Sequence, residues 1–179
     1  MAVAGKDDRV AGQRTLSETE SAIGERLAGM VIDTSAMAAV GNLYRAAGAL
    51  RSHFERTVLA PYSLSWTGWV VLWVIWIWDE IEPRHVAQEA GISKGTLTGV
   101  VSTLERRGLV SRRTHPDDAR RVLLSLAPVG EELMRTVFPR FNAEEVRAVE
   151  PLTDEETQVL ATALRKVVIG IERGDAPRT

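Results

Sequence analysis

Cysteine is absent from the 179 residues, so this chain can form no disulfide, thiolate metal site or thiol redox sensor. Lysine is nearly absent too. Three lysines stand against nineteen arginines, a bias that points to a GC-rich genome. Histidine is sparse: His53, His85 and His115 are scattered, without the spacing of a zinc motif. There is no HExxH and no phosphate-binding glycine loop, so nothing local supports an enzyme, and no cofactor is expected. The longest apolar run, Trp69 to Trp78, falls far short of the roughly 18 residues a membrane span needs. The opening MAVAGKDDRVAGQR lacks the apolar core of a signal peptide. A soluble cytoplasmic protein with no membrane partner is the expectation.

Hydrophobic residues make up 45% and charged residues 26%, a composition that can bury a core. The net charge is only −2, which argues against a generally basic binder of polyanions. The distribution is uneven, however. From Arg84 to Arg121 eight Lys and Arg face four Asp and Glu, giving +4, and the remainder carries −6. A basic patch on an acidic body is either a docking place for a polyanion or a solvated surface.

Residues 1 to about 25 are polar and aperiodic and read as a loose arm. Ala36, Val40, Leu43, Ala47, Leu50 and Phe54 alternate in steps of four and three, which predicts a long helix ending before Pro61. Ser65 is a good N-cap for a helix holding all five tryptophans. Trp66, Trp69, Trp73 and Trp76 share one face, and the helix is apolar all round, so it should be central. Pro83 opens a short helix, Arg84 to Ala90, that Gly91 ends. Ser93 caps a further helix, Lys94 to Arg107, that Gly108 ends. The strand-like 109–113 and 121–126, joined by the turn-rich 115–118, predict a β-hairpin. Two helices close the chain. One spans about Val129 to Val149, with Pro139 expected to bend it; the last starts from a capping box of Thr153 and Glu156.

Two short helices, a glycine turn and a basic hairpin make a winged helix-turn-helix: a mainly α fold with a small β-hairpin wing. In the second helix Leu97, Val100, Val101 and Leu104 form an inward face. Lys94, Gly95, Thr96, Thr98, Gly99, Ser102 and Thr103 are left outward. Small, hydroxylic and cationic residues near a helix N-terminus suit close approach to bases and phosphates in a major groove. Arg112, Arg113, His115, Arg120 and Arg121 surround the hairpin, where arginine can enter the minor groove. Strand alternation sends Arg120 and Arg121 to opposite sides, one toward DNA and one to support the loop.

The stretch LSWTGWVVLW, followed by EPRHVAQEAGISKGTLTGVVSTLERRGLVSRRTHPDDARRVLLSLAPVG, resembles the MarR family of transcriptional regulators over roughly Leu64 to Gly130. The most specific pieces are Leu104 to Arg112 and Asp118-x-Arg120. The resemblance implies that Asp118 braces Arg120, which reaches the minor groove, and that Ser93, Lys94, Gly95, Thr96 and Thr98 start the reading helix. Two positions depart: Leu126-Ala127 stands where Leu-Thr is usual, and Gly99 where many members carry a larger polar residue.

The resemblance further implies a homodimer on an inverted repeat of double-stranded DNA, held by its terminal helices. The expected divisions are then a loose arm at 1–25, an N-terminal dimerisation helix region at 26–60, the DNA-binding lobe at 61–127 and C-terminal dimerisation helices at 128–179. It also implies a repressor released by a small aromatic or phenolic ligand. Trp66, Trp69, Trp73 and Trp76 would line the pocket, and Arg45, Arg51 and His53 would supply polar partners. The tryptophan stripe has a plainer reading as core. A ligand-independent regulator, or a winged helix that binds protein rather than DNA, are the alternatives.

Overall fold

A computed structural model describes residues 15–174, which divide between residues 44 and 45 into two compact units. The first unit holds α1, Leu16–Arg26, and the start of α2, Thr34–Phe54. The helix α1 departs from the loose arm expected there. Thr15 and Glu18 form a reciprocal capping box: Glu18 N–H donates to Thr15 Oγ1 at 3.1 Å, and Thr15 N–H to Glu18 Oε2 at 2.8 Å. That T-x-x-E signal starts a helix without any apolar period. Residues 1–14 of the expected arm lie outside the described residues.

In the second unit the helical path does not stop at Phe54. A π-helical turn, Glu55–Leu59, and a 3-10 turn, Ala60–Tyr62, carry it through Pro61. Ser63 then adopts a left-handed conformation, φ 51°, and reverses the chain. α3, Trp66–Trp78, follows. Its N-terminus is satisfied twice over, by Ser65 Oγ accepting from Gly68 N–H and by Glu55 Oε1 accepting from Trp66 N–H at 2.9 Å.

α3 forms the centre of the core. Val71, Leu72 and Ile75 are fully buried against Leu59, Val86, Leu124, Met134 and Val137. The all-round burial expected of this helix fails at its end, where Ile77 and Trp78 are 54% and 59% exposed. Next come α4, Pro83–Glu89, and α5, Lys94–Arg106. The strands β1, Val110–His115, and β2, Asp118–Leu126, pair antiparallel with Val110 opposite Leu126, and a register irregularity falls at Thr114/His115. Ile81 adds an antiparallel bridge to Leu124, with hydrogen bonds of 3.0 and 2.9 Å.

α6, Pro128–Val149, runs through Pro139. Its start is pressed against the link between α5 and β1: a Cβ on Gly130 would lie 2.0 Å from the Leu109 carbonyl oxygen. That oxygen also accepts from Ala127 N–H at 3.0 Å. The glycine is therefore required by a close backbone approach. α7, Asp154–Gly174, begins at the Thr153–Glu156 capping box, with reciprocal bonds of 3.2 and 2.8 Å. Among the described residues no single helix is long and apolar enough to cross a membrane.

Candidate nucleic-acid interface

The helix-turn-helix is built by its punctuation. Pro83 sits at the first turn of α4. Gly91 takes φ +62°, and Ile92 N–H donates back to Ala87 O at 3.0 Å, closing α4 with a left-handed cap. Two residues on, Ser93 opens α5: its Oγ accepts from Thr96 N–H at 3.1 Å and lies 2.8 Å from Thr96 Oγ1. Gly108, φ +67°, ends the segment.

Leu97, Val101 and Leu104 are buried at 2–3% exposure and fix which side of α5 faces the core. Lys94, Gly95, Thr96, Thr98, Gly99, Ser102 and Thr103 are all exposed. Thr98 Oγ1 donates to Lys94 O and Thr103 Oγ1 to Gly99 O, which leaves each hydroxyl oxygen as an acceptor on the surface. Nothing lies within 4 Å of where a Cβ on Gly99 would be, and only the Ser93 hydroxyl lies near one on Gly95. The packing of this chain does not demand glycine at either place, although glycine weakens a helix interior by about 1 kcal/mol. Small residues there open the face to something that comes from outside.

The wing is less free than its charge count implies. Arg112 makes a two-pronged bond to Glu105 of α5, at 3.0 and 2.9 Å. Arg113 pairs with both oxygens of Glu80, and Arg121 with Glu82, which Arg84 also approaches at 3.3 Å. Those guanidinium groups hold the carboxyls of Glu80 and Glu82 below the usual glutamate range. Arg120 has no ion pair among the described residues. The Asp118 carboxylate accepts from the Arg120 backbone N–H at 3.0 Å, so its contact is with the main chain and not with the guanidinium that the family resemblance implies. His115 Nδ1 accepts from Asp117 N–H at the tip, at 3.2 Å. Arg121 bonds to Glu82, whereas Arg120 beside it makes no such pair among the described residues.

Sequence reasoning missed Glu80, Glu82 and Glu105 as holders of the wing, and also Arg107, which donates to Tyr62 O and Ser63 O at 2.7 and 2.8 Å. The only local signal was the alternation Glu80-Ile81-Glu82, a charged–apolar–charged strand pattern.

The residues expected to hold a ligand are engaged with one another. Phe141 stacks on Phe54 at 4.3 Å and on Trp69 at 4.7 Å, and Trp66 stacks on Phe54 at 6.2 Å. Trp73 stacks on Phe138 at 4.9 Å, and Trp76 Nε1–H donates to Glu131 at 3.1 Å. Trp69 is 4% exposed; Trp66, Trp73 and Trp76 are partly buried against the same core. These contacts make the tryptophan face part of the packed core of one copy of the chain. His53 pairs with Glu144 at 2.8 Å, Arg51 approaches Glu55 at 3.7 Å, and Arg45 is exposed on α2. A cleft of about 310 Å³ lies elsewhere, between Pro83, Arg84, Lys94, Leu97, Val101 and Arg112.

A glycine turn between two short helices, the second presenting a small-residue face, and an arginine hairpin bonded back onto the core define the winged helix-turn-helix proteins. The MarR family description matches residues 64–122. The HTH-type transcriptional regulator YwaE of Bacillus subtilis is 33% identical over 136 residues, covering 76% of this chain and 80% of that protein. The chain belongs to the MarR family of transcriptional regulators, and it is not an enzyme. Among solved structures, Sco3205, a MarR family regulator from Streptomyces coelicolor in complex with DNA, superposes with a TM-score of 0.70 at 23% identity over 78% of this chain and 89% of that one. NadR in complex with 4-hydroxyphenylacetate does so with a TM-score of 0.62 at 27% identity over 70% and 89%.

Proposed function

We propose that this regulator is a homodimeric repressor that lays α5 in the major groove and Arg120 in the adjacent minor groove of an inverted-repeat operator. The observation that carries the reading is the exposed face from Lys94 to Thr103, with glycines that internal packing does not call for. Ser93, Lys94, Gly95, Thr96, Thr98 and Gly99 approach base edges and phosphates. The wing supplies backbone charge, with Asp118 shaping its turn. The expected lobe, 61–127, is the DNA-binding part.

Dimerisation through the terminal helices is supported by α7. Val159, Leu160, Val167, Val168 and Ile171 all lie exposed on it, a stripe that one copy of the chain leaves uncovered. Two α5 helices related by a two-fold then read half-sites about one helical turn, or about 10 base pairs, apart.

Release by a small aromatic acid is the third part of the proposal. NadR's bound 4-hydroxyphenylacetate supplies the chemical class. The cleft lined by Pro83, Leu97 and Val101 also has Lys94 in its lining, a cation with no ion pair among the described residues, which suits an anionic ring. A ligand there occupies the base of the reading helix and favours the state without DNA.

Selection of bound oligonucleotides by the purified protein, followed by fluorescence anisotropy on the selected duplex with and without phenolic acids, tests all three parts. The expected result is an inverted repeat, a complex of one dimer per duplex and release by the acid. Failure to enrich any sequence, together with salt-independent retention on DNA, would sink the reading.

A further inference from the structure

The segment linking α3 to α4 has three residues in extended register, and each meets the wing. Ile81 is 7% exposed and bridges Leu124 through both main-chain bonds. On either side of it, Glu80 takes Arg113 of β1 and Glu82 takes Arg121 of β2. The turn before them is held in an unfavourable backbone. Asp79 sits at φ 62°, ψ −69°, and Glu80 N–H donates to Trp78 O at 2.8 Å, which is a tight γ-turn. Such a conformation persists where the neighbouring contacts over-determine it. The bridge and the two ion pairs are those contacts. Arg121 is also wedged from behind: its Nε is buried, with no hydrogen-bond partner among the described residues.

An arginine bonded to a carboxylate offers little to a phosphate. Its charge is already neutralised locally, and the N–H groups turned to the carboxylate are engaged, two on Arg113 and one on Arg121. We propose that Glu80 and Glu82 are positioning residues that clamp the wing through Arg113 and Arg121 and withdraw these two arginines from DNA, leaving Arg120 as the wing's contacting cation. This rests on the DNA-binding reading above. It narrows the electrostatic footprint well below the eight basic residues counted between Arg84 and Arg121, and it makes the clamp a device for discrimination. Fewer phosphate contacts mean less sequence-independent affinity for the same base-reading face.

The salt dependence of binding to a duplex of arbitrary sequence separates contacting from clamping arginines, because each phosphate contact contributes about 0.9 to the slope of log K against log salt. Arg120→Gln is expected to lower the slope by about that amount per half-site. Arg113→Gln and Arg121→Gln are expected to leave it unchanged. Glu80→Gln and Glu82→Gln, which release an arginine, are expected to steepen it. The charge swap Glu80→Arg with Arg113→Glu guards against simple misfolding. It should bind DNA with the wild-type slope and within about threefold of the wild-type affinity, while Arg113→Glu alone binds poorly. A swap as weak as that single variant, or a slope lowered equally by Arg113→Gln and Arg120→Gln, overturns the clamp.

A readout without DNA keeps the two readings apart. The Nε–H of Arg113, which donates to Glu80, should exchange slowly in the free protein and quickly once Glu80 is replaced. Fast exchange in the wild type removes the clamp while the regulator reading stands. Slow exchange with no salt-dependent binding by any variant defeats the regulator reading, and the assignment of Arg120 with it.

Discussion

The Asp118 carboxylate accepts the backbone N–H of Arg120 at 3.0 Å, and the Arg120 guanidinium is left without an ionic partner among the described residues. What Asp118 supplies is an acceptor for the turn, and that role does not need charge. Asp118→Asn keeps an oxygen in the same place and should preserve DNA affinity. Asp118→Ala should weaken it roughly threefold to tenfold, the worth of one hydrogen bond. Equal losses for both variants, measured by anisotropy, would show that the negative charge matters and restore the side-chain brace.

Gly99 lies mid-helix with open space around its missing side chain. Gly99→Ala should raise stability by about 0.5–1 kcal/mol through helix propensity. The same methyl would stand on the face proposed to lie in the groove, so operator affinity should fall. Urea unfolding and anisotropy on one preparation check both signs. A variant more stable and equally tight in binding would place the reading face elsewhere on the helix.

Gly130 has no such room. A methyl there meets the Leu109 carbonyl, a backbone group that cannot swing aside. Gly130→Ala should cost at least about 2 kcal/mol in urea unfolding, in the upper range of overpacked sites. A near-neutral result would mean that the start of α6 slides freely along the link between α5 and β1.

Phe141 is 6% exposed and stacked against both Phe54 and Trp69. Its truncation to alanine should cost about 3–5 kcal/mol, measured at fixed protein concentration. If this cluster instead forms a ligand pocket with space to spare, the loss will be small and binding of an aromatic acid will change.

Acid should loosen the molecule through particular carboxylates. Glu131 is held below the ordinary glutamate range first by the Trp76 indole N–H and then by Arg135. Glu144 is lowered by His53 above all, with Arg147 assisting. Glu80 and Glu82 are lowered by Arg113 and Arg121, with His115, Arg84 and His85 adding to the field. A carboxyl whose folded pKa is depressed contributes stability that is present above its unfolded value and lost as pH falls through the folded one. Unfolding free energy should therefore be nearly flat with respect to these groups above about pH 6 and decline below the ordinary carboxylate range, about 4.3. Glu131→Gln should flatten part of that decline when tryptophan fluorescence is the probe. An unchanged acid limb in that variant would deny the indole contact.

Much of the architecture could be read locally because its signals are local. Ser65, Ser93 and Thr153 announced three helix starts, and Gly91 and Gly108 announced two stops. The inward set Leu97, Val100, Val101 and Leu104 followed from helical spacing alone, with three of them buried and Val100 partly so. What escaped was of two kinds. The capping box of α1 is as local as the others, but no apolar stripe follows it, and periodicity outweighed the cap. The rest joins residues far apart in the chain. Glu80 and Arg113 are 33 positions apart, and His53 and Glu144 are 91. No spacing rule reports such pairs, so the carboxylate partners of Arg112, Arg113 and Arg121 could not be read from sequence. The phenylalanines packed on the tryptophan face are as remote, coming from α2 and α6.

The contact of Gly130 with Leu109 makes the joint between α6 and the reading lobe a bearing without play. A tilt of that helix cannot be absorbed by side chains repacking, because backbone rests on backbone there. It therefore presses directly on the Leu109 main chain, one residue before β1 begins.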